Sequence, residues 1–416
     1  MGVMQNRNRG DNVYNCGMRG LSWLMLLLLP LCLRAESGGK ISMPTYQTRY
    51  YTIYTDLPEE RVREAELRMS RMVEVYRQRT ADFAGAVSQR LPFYLFTRER
   101  DYLDAGGIEG SSGVFDRASQ VLMAVAGEKP SVETWYVVQH EGFHQFAHAV
   151  IGGELPIWVN EGLAEYFGEA IFTGDTFITG AIPDWRLRRI KAEITADKFR
   201  SIEEMMKLEH AKWNDEISVV NYDQAWSMVH FLAHGEGGKY QRAFVNYMRD
   251  LGARVPGKKA WEENFGSAEG FEAKWKSYWQ KLEEGSTAEV YAKATLQTLT
   301  GALGRAYVKK QFVNSVEELE KLITGGKLKL DAQDWLPASV FDVALENLKQ
   351  LRKQGCRFSV LVAAGRQPVV VCQMSNGGKM TARFTVVGNR VGQVTVSAPA
   401  APPLASPKRG STRMSR

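Results

Sequence analysis

Only six histidines occur among the 416 residues, and two of them stand four apart in His140-Glu141-Gly142-Phe143-His144. Residues i and i+4 of a helix lie one above the other on the same face. The spacing therefore predicts a helix that aims both imidazoles at one point. Glu141 is turned about 100° from His140 by helix geometry, which sets its carboxylate beside that point. The flanks agree with a buried helix. Trp135-Tyr136-Val137-Val138 leads in, Phe143, Phe146, Ala147, Ala149 and Val150 continue the apolar pattern, and Gly152-Gly153 is a stop signal.

Two histidines and a glutamate in this arrangement point to the ligands and base of a zinc site. A catalytic zinc takes three protein ligands and leaves a fourth position to water. Glu161, seventeen residues beyond His144, is the candidate third ligand. The metal lowers the pKa of that water to ~7, and Glu141 is placed to accept its proton. The expectation is hydrolysis by zinc-activated water, of peptide bonds before other substrates. The competing account, two core histidines on an apolar helix, leaves Glu161 without a role. His148 falls on the same helix face as His140 and His144. It lies about 12 Å from His140 by helical rise, too far to share an ion with bonds of ~2.0–2.1 Å, so it reads as a core or rim residue.

Leu155-Pro156-Ile157-Trp158-Val159-Asn160-Glu161-Gly162-Leu163-Ala164-Glu165-Tyr166, read with the histidine helix, resembles the gluzincins, the thermolysin-like zinc peptidases. It also looks like a bacterial exported family of that peptidase clan. The resemblance spans roughly residues 45–282, and only the two motif segments are specific. It implies an α+β fold, with a small sheet and the active-site helix followed by a helical subdomain. It implies zinc held by His140, His144 and Glu161, with Glu141 as the base. It gives Glu165, at i+4 from Glu161, the role of orienting a ligand histidine, although a solvated helix charge is the bland reading. Gluzincins also aim a Tyr or His donor at the carbonyl oxygen from a helix downstream. Tyr222 stands at a suitable place for that, with His210, His230 and Tyr166 as rivals and simple packing as the alternative. The stretch from His144 to Glu161 is slightly shorter than in the aminopeptidase branch, and no motif for gripping a free amino terminus precedes the helix.

Along the chain, 49–55 and 91–96 read as strands, 58–80 as a helix, and 113–116 with 120–125 as a hairpin. After Gly168 the pattern is mainly helical, at 182–196, 222–234, 240–251 and 271–282. His230 and His234 are a second i,i+4 pair, but Phe231 stands where a base would be, and a dipole interaction at a helix end accounts for His234. Residues 286–350 read as helical, and 357–363, 369–373, 380–387 and 391–396 as strands. The expected organisation is a signal peptide at 1–35, a peptidase-like domain at 41–284, a small α/β appendage at 286–397 and a disordered basic tail at 398–416.

The leader expectation rests on Arg7, Arg9 and Arg19 ahead of the apolar run 21–33, with an uncleaved anchor as the alternative. It points to export to the periplasm or beyond. The net charge of +6 comes from the ends. Without residues 1–35 and the residues after Pro407, 45 basic side chains face 46 acidic ones. No basic body suggests nucleic-acid binding. No later stretch reaches membrane-spanning length, and nothing sets an oligomeric state. Cys356 and Cys372 remain after the leader. In an exported chain such a pair suggests a disulfide, with two buried free thiols as the alternative. The expected partner is a peptide or protein substrate. The rival from another class is a non-catalytic exported module of the same fold that binds a surface or periplasmic partner.

Overall fold

The computed structural model describes residues 43–151, 154–215 and 218–397. The leader segment, the Gly152-Gly153 pair and the tail from 398 lie outside them. The described residues are mixed α and β with small sheets, as an α+β fold requires. They fall into two compact units, one running to Gly168 and resuming at Ile182–Glu284, the other made of Glu169–Ala181 and the chain from Gly285 onward.

The first unit opens with β1 (Thr45–Gln47), β2 (Tyr51–Thr55), α1 (Glu59–Thr80), β3 (Leu91–Phe96), α2 (Glu99–Asp104), β4 (Gly113–Asp116) and β5 (Val121–Val125). Their sheet runs β1-β2-β3-β5-β4. β2, β3 and β5 are parallel, and β1 and β4 are antiparallel edges. Period-two burial of Tyr51, Ile53 and Thr55 follows from side chains alternating across a strand. Next come α3 (Val132–Val150) and α4 (Ile157–Gly168), and then, from Ile182, α5 (Asp184–Thr195), α6 (Ile202–Lys207), α7 (His210–Asp215), α8 (Val219–Gly238), α9 (Gln241–Gly252), α10 (Gly257–Phe265) and α11 (Ala268–Lys281). Helical geometry in α8 breaks at Gly235, where φ/ψ turns to −57°/142°. Tyr76 of α1 ties the helix layer together. Its hydroxyl donates to the Gln139 carbonyl, and its ring meets Phe143, Phe146 and Phe167.

α4 and α8 approach closely at Gly162. A Cβ there would stand 2.5 Å from the Ala225 carbonyl oxygen and 2.7 Å from Val229 Cγ2. The first neighbour is backbone and cannot rotate away. Ala is favoured over Gly inside a helix by ~1 kcal/mol, but overpacking against a fixed atom costs ~1–3 kcal/mol. Gly162→Ala is therefore expected to lower stability. An unchanged or raised urea midpoint would show that the two helices separate at no cost.

The second unit holds β6 (Ile171–Phe172) and β7 (Phe177–Ile178), then α12 (Ala288–Val308), α13 (Val316–Thr324) and α14 (Ala338–Lys353), then β8 (Arg357–Leu361), β9 (Val369–Gln373), β10 (Lys379–Val387) and β11 (Arg390–Ser397). The last four form an antiparallel meander. α12 is buried almost all round, and its Leu296, Leu299 and Leu303 pack with Val370, Ala382 and Phe384. Its polar positions are matched: Gln297 donates to the Val394 carbonyl and Thr298 to that of Thr173. Residues 169–181 carry the short β6–β7 hairpin and group with this unit. Phe172 and Phe177 pack ring against tilted ring across a turn at Gly174, whose φ is +93°. One expectation changes here, the disulfide between Cys356 and Cys372. Cys356 and Cys372 are free buried thiols. The register sets Phe358 opposite Cys372, so Cys356 lines up with Met374. Both sulfurs contact Met374 Sδ, at 3.9 and 3.6 Å. Burial, with Cys356 adjacent, pushes the Cys372 thiol up to about 12, which keeps it unreactive. Among the described residues no helix is long and apolar enough to cross a membrane.

Candidate metal centre

α3 is started and pinned by polar side chains. Ser131 caps it, accepting from the Thr134 backbone N–H, while Thr134 Oγ1 accepts from the Ser131 N–H. Gln139 donates to the carbonyls of Phe167 and Gly168 at 3.1 and 2.8 Å, closing the end of α4, where backbone acceptors lack helical partners. Gln145 donates to the carbonyls of Pro92 and Gln120. The two glutamines fix the rotation of α3 between the sheet and α4. With that rotation set, His140 and His144 face α4.

α4 is apolar apart from Asn160, Glu161 and Glu165, and both glutamates are buried, at 9 % and 7 % exposure. Charged side chains are almost never buried unless paired. These two are paired with α3. Glu161 Oε2 lies 3.4 Å from Nε2 of His140 and 3.4 Å from Nε2 of His144, and the two nitrogens are 3.1 Å apart. Glu165 Oε1 lies 3.1 Å from His140 Nδ1. Its other oxygen accepts from the Tyr136 hydroxyl at 2.6 Å and from Arg186 Nη2 at 2.5 Å. Burial opposes charge on His140 and His144, but the glutamates outweigh it and hold both imidazoles above their usual range. Burial likewise pushes the carboxylates up, while the histidines, and Arg186 for Glu165, pull them well below normal.

These donors suit zinc. Bonds of ~2.0–2.1 Å at tetrahedral angles set ligand atoms ~3.3 Å apart, and the three atoms are separated by 3.1–3.4 Å. Two imidazoles and a carboxylate are also a known catalytic zinc set. Among the described residues no other grouping of three such ligands is within reach of one ion, the pair His230 and His234 included.

Glu141 points from α3 to the sheet edge, where Oε2 accepts the Phe115 N–H of β4 at 2.9 Å. Tyr222 lies in the first turn of α8, three residues beyond its start, under a cap from Ser218. Its ring centroid is 6.4 Å from that of His140 and rests edge-on against Trp213. Burial, reinforced by Glu161, raises the Tyr222 hydroxyl above its usual range, so it stays a donor. The rival donors are placed differently. Tyr166 shares a hydrogen bond with His234 at 2.8 Å, and His230 packs among Trp226 and Trp279. His210 opens α7, half-buried. His148 is exposed against Phe115, a rim position.

A buried network behind Glu165 carries no sequence signal. Arg186 Nε donates to Asp223 Oδ1 at 3.1 Å, and Arg189 adds two bonds to the same carboxylate. A family model described as protein of unknown function (DUF1570) matches residues 135–257. That segment contains His140, His144 and Glu161, Glu141, Tyr222 and this network. No curated protein matches the chain.

Glu193, one turn beyond Arg189 on α5, borders the network, and its Oε2 has no hydrogen-bond partner among the described residues. Burial pushes its carboxyl up from 4.5 to about 7, Asp223 adds to this, and Arg189, Lys198 and Arg186 oppose it. A raised folded pKa means that the folded chain keeps a proton the unfolded chain has released. The associated stability is full below pH 4.5 and is lost as pH rises toward about 7. Glu193→Gln is therefore expected to be more stable than wild type above about pH 7, with the gap closing toward pH 4.5. Urea midpoints across that range check it, and a gap that widens on acidification would contradict it.

Proposed function

We propose that the first unit is a zinc-dependent peptidase of the gluzincin kind. The observation that carries this reading is the triangle of His140 Nε2, His144 Nε2 and Glu161 Oε2, with sides of 3.1–3.4 Å, and Glu141 close enough to act electrostatically on both histidines. Zinc bound there supplies Lewis acidity that acidifies a water and polarises a carbonyl.

The chain's own residues account for the remaining steps. Glu141 takes the proton of the attacking water as the oxygen bonds to the carbonyl carbon. It then delivers that proton to the amide nitrogen as the C–N bond breaks, so one carboxylate serves as base and then acid. The Tyr222 hydroxyl donates to the carbonyl oxygen while negative charge builds there. β4 offers the substrate a template. Val125 N–H bonds the Ser112 carbonyl and Gly113 pairs with Ala124, so antiparallel alternation turns the polar groups of Gly113 and Phe115 away from β5. An extended peptide can add to that outer edge, with Glu141 already anchored on it through Phe115. The substrate class is therefore an extended or unfolded polypeptide segment. The apolar run at 21–33 supports action outside the cytoplasm.

The test combines metal content with cleavage of a denatured protein mixture. Wild type and Glu141→Gln are expected to carry one zinc, and His144→Ala none. Glu141→Gln is expected to lose ~10²-fold or more in rate, because the amide keeps the shape but cannot take the proton. Equal rates would remove Glu141 from the mechanism, and a zinc-loaded wild type that cleaves nothing would favour a binding module. Separately, Tyr222→Phe is expected to lower kcat by ~10²–10³-fold. A kcat within about threefold of wild type, well under that range, would assign the hydroxyl to packing.

A further inference from the structure

Arg186 has no step in the proposed chemistry, yet its side chain is 2 % exposed and engaged on three sides. Nη2 donates to Glu165 Oε2 at 2.5 Å, Nε donates to Asp223 Oδ1 at 3.1 Å, and the guanidinium lies 4.3 Å from the Trp226 ring centroid. Glu165 belongs to α4 and reaches His140 Nδ1. Asp223 and Trp226 belong to α8, and Asp223 follows Tyr222 directly. Resting on the zinc reading above, we infer that Arg186 is a positioning residue, a planar clamp that holds Glu165 against His140 and ties the metal-ligand helix to the helix presenting Tyr222.

Stability alone does not call for such a group. Taking an ion out of water costs several kcal/mol, and buried ion pairs are often replaceable by apolar side chains without loss. The geometry supplies the reason. Glu165 can fix the ring of His140 only as an acceptor of its Nδ1–H, and a buried carboxylate facing a neutral imidazole needs a cation elsewhere. The Tyr136 hydroxyl gives Glu165 a hydrogen bond but no charge. Arg186 gives both. Its fork spends one nitrogen on each of two carboxylates from two helices, while its flat face stays on Trp226. A lysine ammonium is a point donor that cannot hold all three contacts.

Zinc dissociation constants measured by chelator competition test this without relying on turnover. The full chain is compared as wild type, Arg186→Lys, Glu165→Gln and the double variant, each confirmed as folded by circular dichroism. Arg186→Lys is expected to bind zinc ~10–100-fold more weakly, the range for loss of a partner that orients a metal ligand. Because Arg186 acts through Glu165, the double variant is expected to match Glu165→Gln within about threefold, whereas independent effects would multiply. A folded Arg186→Lys that keeps its affinity within about twofold of wild type, well short of that range, overturns the inference and leaves the zinc reading standing. So does a double variant whose losses multiply. A wild type that holds no zinc overturns both together. If Arg186→Lys does not fold, Asp223→Asn is measured instead, since it keeps the volume and removes the charge that holds the same guanidinium. At least ~threefold weakening is then expected, and none overturns the inference.

Discussion

Two carboxylates buried on an otherwise apolar helix determine most of what surrounds them. Glu161 and Glu165 sit one turn apart on α4, on the side that meets α3. Burying two ions costs several kcal/mol each unless partners restore what water provided. The fold supplies those partners from three directions: the imidazoles of α3, the Tyr136 hydroxyl one turn before His140, and the guanidinium of Arg186 on α5. α4 cannot rotate without leaving one carboxylate unmatched. The position of His140 and His144, and so of Glu141 at the β4 edge, follows from that requirement.

The parts of this arrangement legible in the sequence share a short-range signature. His140 and His144 are four apart on one helix, Glu161 and Glu165 four apart on the next, and helix geometry alone places each pair on one face. The sheet was legible because 49–55, 91–96 and 120–125 are short runs rich in aromatic, aliphatic and β-branched residues, and the four strands of the second unit because Gly and Asn punctuate them. Tyr222 was found only as a donor type at a plausible place in the order of elements, and the structure sets its ring beside His140.

The illegible parts are those where distant segments decide. Gln139, Gln145, Arg186 and Asp223 are polar residue types that usually face water, and no periodicity separates a buried anchor from a solvated one. Each becomes recognisable only once the backbone carbonyl or charge it serves is in place. The hairpin at 171–178 has strands of two residues, too short for alternation to register. Cys356 and Cys372 are close in sequence and both lie in the meander. A register that puts Cys356 level with Met374 instead keeps them as thiols.

Gly162 shows how stability and chemistry meet in α4. It follows Glu161, so helix geometry turns it about 100° from the side that faces His140 and His144, toward α8. The missing side chain lets the Ala225 carbonyl lie where a Cβ would be 2.5 Å away. Ala225 is three residues beyond Tyr222 on the same helix, which makes this close approach part of what sets the distance from Tyr222 to the histidines. Arg186 fastens the same two helices through Glu165 and Asp223. The glycine limits how far α8 stands from α4, and the guanidinium limits how it slides along it. With both in place, a hydroxyl on one helix and the imidazoles and carboxylate on two others can hold a fixed geometry, which the proposed catalysis by pre-placed donors requires.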